Sequence, residues 1–166
     1  WLPDNWVVRT LIVPVLATGF LVVQLEVNRS LAYLFEPLRL PMLTLVWAGA
    51  GLLLFRAFAS IPKAVFAWLF WLAIAAMLIK LFAVDLAYWQ LSLNTLQFRG
   101  DYAPVAAVMR LLDFGAVIAL CMYAYRSLPR NRRAERTYRL CLGYGSLVLL
   151  LIILTLELNT CLGAFV

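Results

Sequence analysis

Residues 126–162 read RSLPRNRRAERTYRLCLGYGSLVLLLIILTLELNTCL, and the fold turns on this stretch. Its opening part carries six arginines, Arg126, Arg130, Arg132, Arg133, Arg136 and Arg139, against one acid, Glu135. From Leu140 to Leu162 the chain is apolar, with Glu157 its single charge. The hydrocarbon core of a bilayer is about 30 Å thick and takes about 20 apolar residues to cross as a helix. An arginine-rich run beside a span of that length predicts a transmembrane helix whose basic end is held on the cytoplasmic side.

Four further stretches pass the same test. The spacing predicts spans over about 7–27, 42–58, 64–84 and 103–125, with 140–162 as the fifth. Pro14 interrupts the first, which neighbouring helices tolerate by re-satisfying the freed carbonyl. Pro41, Pro62 and Pro104 stand at or just before span starts, where a missing amide donor costs least. Composition agrees: of 166 residues, 66% are hydrophobic and 13% charged, and the mean hydropathy is +0.94. A soluble domain runs nearer half apolar and a quarter charged, and a disordered chain is more polar still. The expected fold is all-α, a polytopic transmembrane helix bundle of five spans forming a single module over residues 1–166.

The basic residues set an orientation. With the arginine segment as a cytoplasmic anchor, Arg9, Arg56 and Lys63 fall on the same side, and Arg29, Arg39 and Arg99 on the other. The N-terminus is then expected inside and the membrane itself is the expected partner, with anionic head groups attracted to the same arginines. A basic run of this kind between two spans is a topology anchor, so no nucleic-acid partner is expected.

Small residues supply a packing pattern. Ala48-Gly-Ala-Gly51, Gly115-x-x-x-Ala119 and Gly143-Tyr-Gly-Ser146 let helix backbones approach closely, within one bundle or against other membrane subunits.

An internal similarity follows from the span ends. Leu25-Glu26-Val27-Asn28 and Leu156-Glu157-Leu158-Asn159 each close an apolar span. With five spans, the first and fifth run the same way, which predicts a parallel repeat of four helices and a chain that is a piece of something longer. The Leu-Glu-aliphatic-Asn ending, the run Leu43-Thr-Leu-Val-Trp47-Ala-Gly-Ala-Gly51, and Ile79-Lys80-Leu81-Phe82-Ala83-Val84-Asp85-Leu86 resemble the long, many-spanning bacterial membrane proteins of the domain-of-unknown-function 2339 family. The resemblance covers roughly residues 19–85 and then 156 onward. It implies a bacterial inner membrane and a longer parent chain, and it implies no particular activity.

Charges inside the spans mark the candidate site, because each costs about 2.5 to 3.5 kcal/mol at a helix centre on insertion scales. Glu26, Lys80 and Glu157 lie roughly 23 to 28 Å along their helices from the cytoplasmic ends, by helical rise. Arg110 lies about 10 Å and Asp113 about 15 Å below the opposite surface on the same rise. Asp85 and Arg29 complete a cluster of four carboxylates and three cations gathered in the outer half. Arg110 and Asp113, three apart on one helical face, are expected to pair. Lys80 and Asp85, five apart, are expected to point in different directions.

Much chemistry is excluded. The chain has no His, which removes imidazole metal sites, His-ligated haem and Ser-His-Asp catalysis. Cys121, Cys141 and Cys161 form no C-x-x-C pair and are expected as packing residues. No phosphate loop or dinucleotide fingerprint is present. No cofactor, metal or catalytic residue is therefore expected. The favoured function is a structural or assembly module of the bacterial envelope. The alternative is a transport or solute-binding module with an outward-facing polar site. An enzyme acting on a lipid-linked substrate ranks last.

Overall fold

The computed structural model describes residues 6–60, 64–92, 94–99, 103–128 and 133–164, and their side chains except at 6–13, 60, 64 and 133–135. Two compact units divide the chain, residues Trp1–Arg39 and Leu40–Val166.

In the first unit, α1 (Trp6–Leu34) runs through Pro14 without breaking. A 3-10 turn, Glu36–Leu38, follows, and Arg39 Nε donates to Asn28 Oδ1 at 2.5 Å, tying the end of the unit back onto its helix. The start of the first expected span, including the side chain of Arg9, lies outside the described side chains.

The second unit is built from α2 (Arg39–Ser60, from Leu40 onward), α3 (Ala64–Ile79), a π-helical segment (Lys80–Asp85), the short turn α4 (Leu86–Tyr88), α5 (Pro104–Ser127) and α6 (Arg133–Gly163). The π segment continues α3 directly into α4, so the three form one rod. Four stretches among the described residues are long and apolar enough to cross a membrane: Glu36–Ala59, Val65–Tyr88, Pro104–Ser127 and Arg136–Gly163. These coincide with the second to fifth spans read from the sequence. Helices are the required solution here, since a backbone surrounded by lipid must satisfy its own hydrogen bonds. Pro104 opens α5 at its first turn, where its missing amide is harmless.

The core of this unit is aromatic and aliphatic. Phe55, Phe70, Met77, Leu81, Phe114, Val117 and Ile153 are buried, and Phe55 stacks near Phe70 at 5.3 Å and Tyr123 at 6.0 Å between centroids. Leu53, Leu72, Leu147 and Leu151 face outward, as a lipid-exposed surface requires. The small-residue pattern is used selectively. A methyl at Gly51 meets Leu120 Cδ2 at 2.8 Å, and one at Gly143 meets the Tyr125 ring at 3.1 Å, so these two glycines permit the α2–α5 and α5–α6 approaches. Gly49, Gly115 and Gly145 have open space and do not mark close approaches.

The connection from α4 to α5 is not plain loop. Leu91–Ser92 (β1) pairs antiparallel with Gln97–Phe98 (β2), Leu91 opposite Phe98. Gln90 and Leu96 both take φ 52°, the left-handed region that non-glycine residues seldom enter. The hairpin is held by packing: Phe98 is buried and meets Trp89 edge to face at 6.4 Å. Phe98 N donates to Thr160 Oγ1 and Gln97 Nε2 to the Asn159 carbonyl, seating the hairpin on the end of α6.

Of the arginines in residues 126–139, Arg126 is exposed in the last turn of α5 and Arg136 is exposed early in α6. The Arg139 guanidinium lies 4.8 Å over the Tyr125 ring. Arg130, Arg132 and Lys63 lie outside the described residues, as does the side chain of Arg133.

Candidate functional site

Five of the seven charges that the sequence singles out fall in the second unit, toward its hairpin end, and they form two clusters. The first joins α2, the π segment and α5. Lys80 Nζ donates to Asp85 Oδ2 at 2.6 Å, to Thr44 Oγ1 at 2.7 Å and to the Leu40 carbonyl at 3.4 Å. Asp113 Oδ1 lies 3.9 Å from the same ammonium. Asp85 and Asp113 are fully buried, and the Lys80 side chain is 15% exposed.

The Lys80–Asp85 contact corrects the sequence expectation. In an α-helix of 3.6 residues per turn, residues five apart are turned about 140° from one another. The π segment closes i→i+5 instead, which brings positions five apart onto one face. The bulge thus creates the pair that α-helical spacing forbids.

The second cluster joins α5, α6 and the hairpin. Arg110 donates from Nε to Glu157 Oε1 at 2.5 Å and from Nη2 to Oε2 at 3.1 Å, a two-pronged pairing. Its guanidinium carbon sits 4.1 Å over the Phe98 ring. The expected Arg110–Asp113 pair is therefore not the one formed: Arg110 takes Glu157 on the neighbouring helix, and Asp113 turns to Lys80. A neighbouring pair along one helix is worth about 0.2 to 0.5 kcal/mol. A hydrogen bond to a charged group is worth about 1.5 to 3 kcal/mol, and Glu157 offers Arg110 two.

Glu26 and Arg29 are exposed on α1 in the first unit. The similar span ends are used differently, Asn28 through its side chain to Arg39 and Asn159 through its carbonyl to Gln97.

Four contributors escaped sequence reasoning. Thr44 and the Leu40 carbonyl complete the Lys80 shell, and Phe98 and Thr160 complete the Arg110 cluster. A threonine in an apolar span and an aromatic in a polar loop were the only signals, and neither names a partner.

Among the described residues, no group of three or more Cys, Asp or Glu side chains is placed to hold a metal ion. Cys121, Cys141 and Cys161 are free thiols, the first buried in the core.

The four apolar helices and their charges define a membrane-embedded, multi-pass helical chain. Comparison with known families, curated proteins and solved structures gives no match, so function has to be read from the chemistry of the two clusters.

Proposed function

We propose that the chain is a structural module of a cell membrane, a helix bundle whose buried charges lock its helices in register. The observation that carries this is the two-pronged Arg110–Glu157 pair, which joins α5 to α6 while the hairpin covers it with the Phe98 ring. Arg110 is 5% exposed, and a charge so enclosed stays in place only when paired and hydrogen-bonded. A solute-binding or transport site calls for charged groups free to meet a ligand, and here each donor of this arginine that points at Glu157 is already engaged. Five spans, a parallel four-helix repeat, membership of the 2339 family, a bacterial inner membrane and a cytoplasmic N-terminus belong to the same proposal. They are supported by the spacing of apolar stretches, the paired span ends and the arginine asymmetry.

The test is a double-mutant cycle on thermal unfolding in detergent. Arg110→Gln or Glu157→Gln alone strands a buried charge and is expected to cost about 3 to 5 kcal/mol. The two together remove both charges and are expected to be tolerated better than either alone. Equal losses in the singles and the double overturn the locking role.

A further inference from the structure

The two clusters differ in charge. Arg110 and Glu157 cancel, whereas at Lys80 one ammonium faces two carboxylates. An ammonium has three donors, and those of Lys80 go to Asp85, Thr44 and the Leu40 carbonyl. Asp113, fully buried, faces the ammonium at 3.9 Å, beyond hydrogen-bond distance, and neither of its oxygens has a hydrogen-bond partner. Asp85 Oδ1 is likewise buried without a partner. Both carboxyl groups address the same ammonium, Asp85 Oδ2 at 2.6 Å and Asp113 Oδ1 at 3.9 Å from Lys80 Nζ. Two ionised carboxylates so placed are acceptors facing acceptors, in a buried setting that already disfavours one unbalanced charge.

We propose that Lys80, Asp85 and Asp113 form a proton-binding site in which one proton from the aqueous phase is held by the pair of carboxyl groups. An O–H bond of a hydronium ion breaks and leaves water, an O–H bond to a carboxyl oxygen forms, and the cluster becomes neutral. The proton supplies a donor where three buried carboxyl oxygens have none. The charged groups around Asp113 are Lys80 and Asp85 from the rod packed against it and, three residues earlier on its own helix, Arg110, which Glu157 of α6 neutralises. A metal ion fits poorly, because hard divalent cations gather about six or more oxygens and the ammonium already holds the cationic position. This inference goes beyond the locking role and stands or falls separately from it, since it concerns the other cluster.

Infrared difference spectroscopy of the purified chain in lipid nanodiscs tests it. At pH 7, where ordinary carboxyls with values near 4 are ionised, the unmodified protein is expected to show a carboxylic-acid carbonyl band that shifts in heavy water. Asp113→Asn and Asp85→Asn should each abolish the band, because either leaves one carboxylate to one ammonium. Lys80→Met should keep it, and Glu26→Gln should leave it unchanged. Absence of the band from the unmodified protein in sodium and in sodium-free buffer overturns the proposal. So does a band that appears only when sodium is withdrawn, which would make a metal cation the ligand, or one that survives both asparagine variants. Should a variant fail to assemble, as gel filtration and helicity report, the unmodified protein's spectrum still decides the matter.

Discussion

Thr44 shows what a single hydroxyl does in an apolar helix. It is 1% exposed, its Oγ1 accepts from Lys80 at 2.7 Å, and it bonds back to the Leu40 carbonyl on its own helix. Removing the acceptor leaves one ammonium donor unsatisfied in a buried place, a loss of about 1.5 to 3 kcal/mol for a charged hydrogen bond. Thr44→Val keeps the shape and is expected to lower stability by that amount, whereas Thr44→Ser keeps the acceptor and should cost much less; thermal unfolding of both in detergent checks the ordering. Residue identity was legible here only in part. Lys80, Asp85, Arg110, Asp113 and Glu157 stood out because charge is rare in such spans. Their partners did not, because spacing along one helix says nothing of what a neighbouring helix presents. Arg110 had Asp113 within reach on its own face and still took Glu157, whose two oxygens match the guanidinium fork.

At the scale of the element, the π segment is the feature that periodicity missed. An apolar run gives the same hydropathy whether its turns close at four residues or five, so Lys80–Asp85 reads as ordinary helix until the pairing is seen. The bulge amounts to one residue added to an α-helix whose flanks keep their facing. Val84 is exposed within it. Deleting Val84 turns the five-residue separation of lysine and aspartate into four, which an α-helix brings onto one face unaided. The shortened chain is expected to stay folded with the pair intact. Deleting Ala75, exposed in the regular part of α3, removes about 100° of rotation with no bulge to absorb it, and displaces Phe70 from the core relative to Lys80. Gel filtration and unfolding curves should show the first deletion near the unmodified protein and the second aggregated or strongly destabilised. Collapse of both would mean that the bulge does not carry a spare residue.

At the scale of the molecule, four helix positions were legible to within a few residues, because length and apolarity follow directly from bilayer thickness. The hairpin was not, because two strands of two residues have no periodicity to detect and depend on Phe98 packing against Trp89 and Arg110. Which face of the bundle meets the cytoplasm is a question of loop charge. Thr95 lies exposed in the hairpin turn, before α5, and Ser127 lies exposed at the far end of that helix, beside Arg126. A helix of this length places the two on opposite sides of a bilayer. The proposed orientation, argued from the arginine asymmetry, puts Ser127 inside. In a chain with Cys141 and Cys161 replaced by serine and the buried Cys121 retained, Thr95→Cys should react with a membrane-impermeant maleimide added to intact cells. Ser127→Cys should react only after the cells are opened. The reverse pattern would place the arginines outside and overturn the orientation, and reaction of both from one side would show that α5 does not cross the membrane at all.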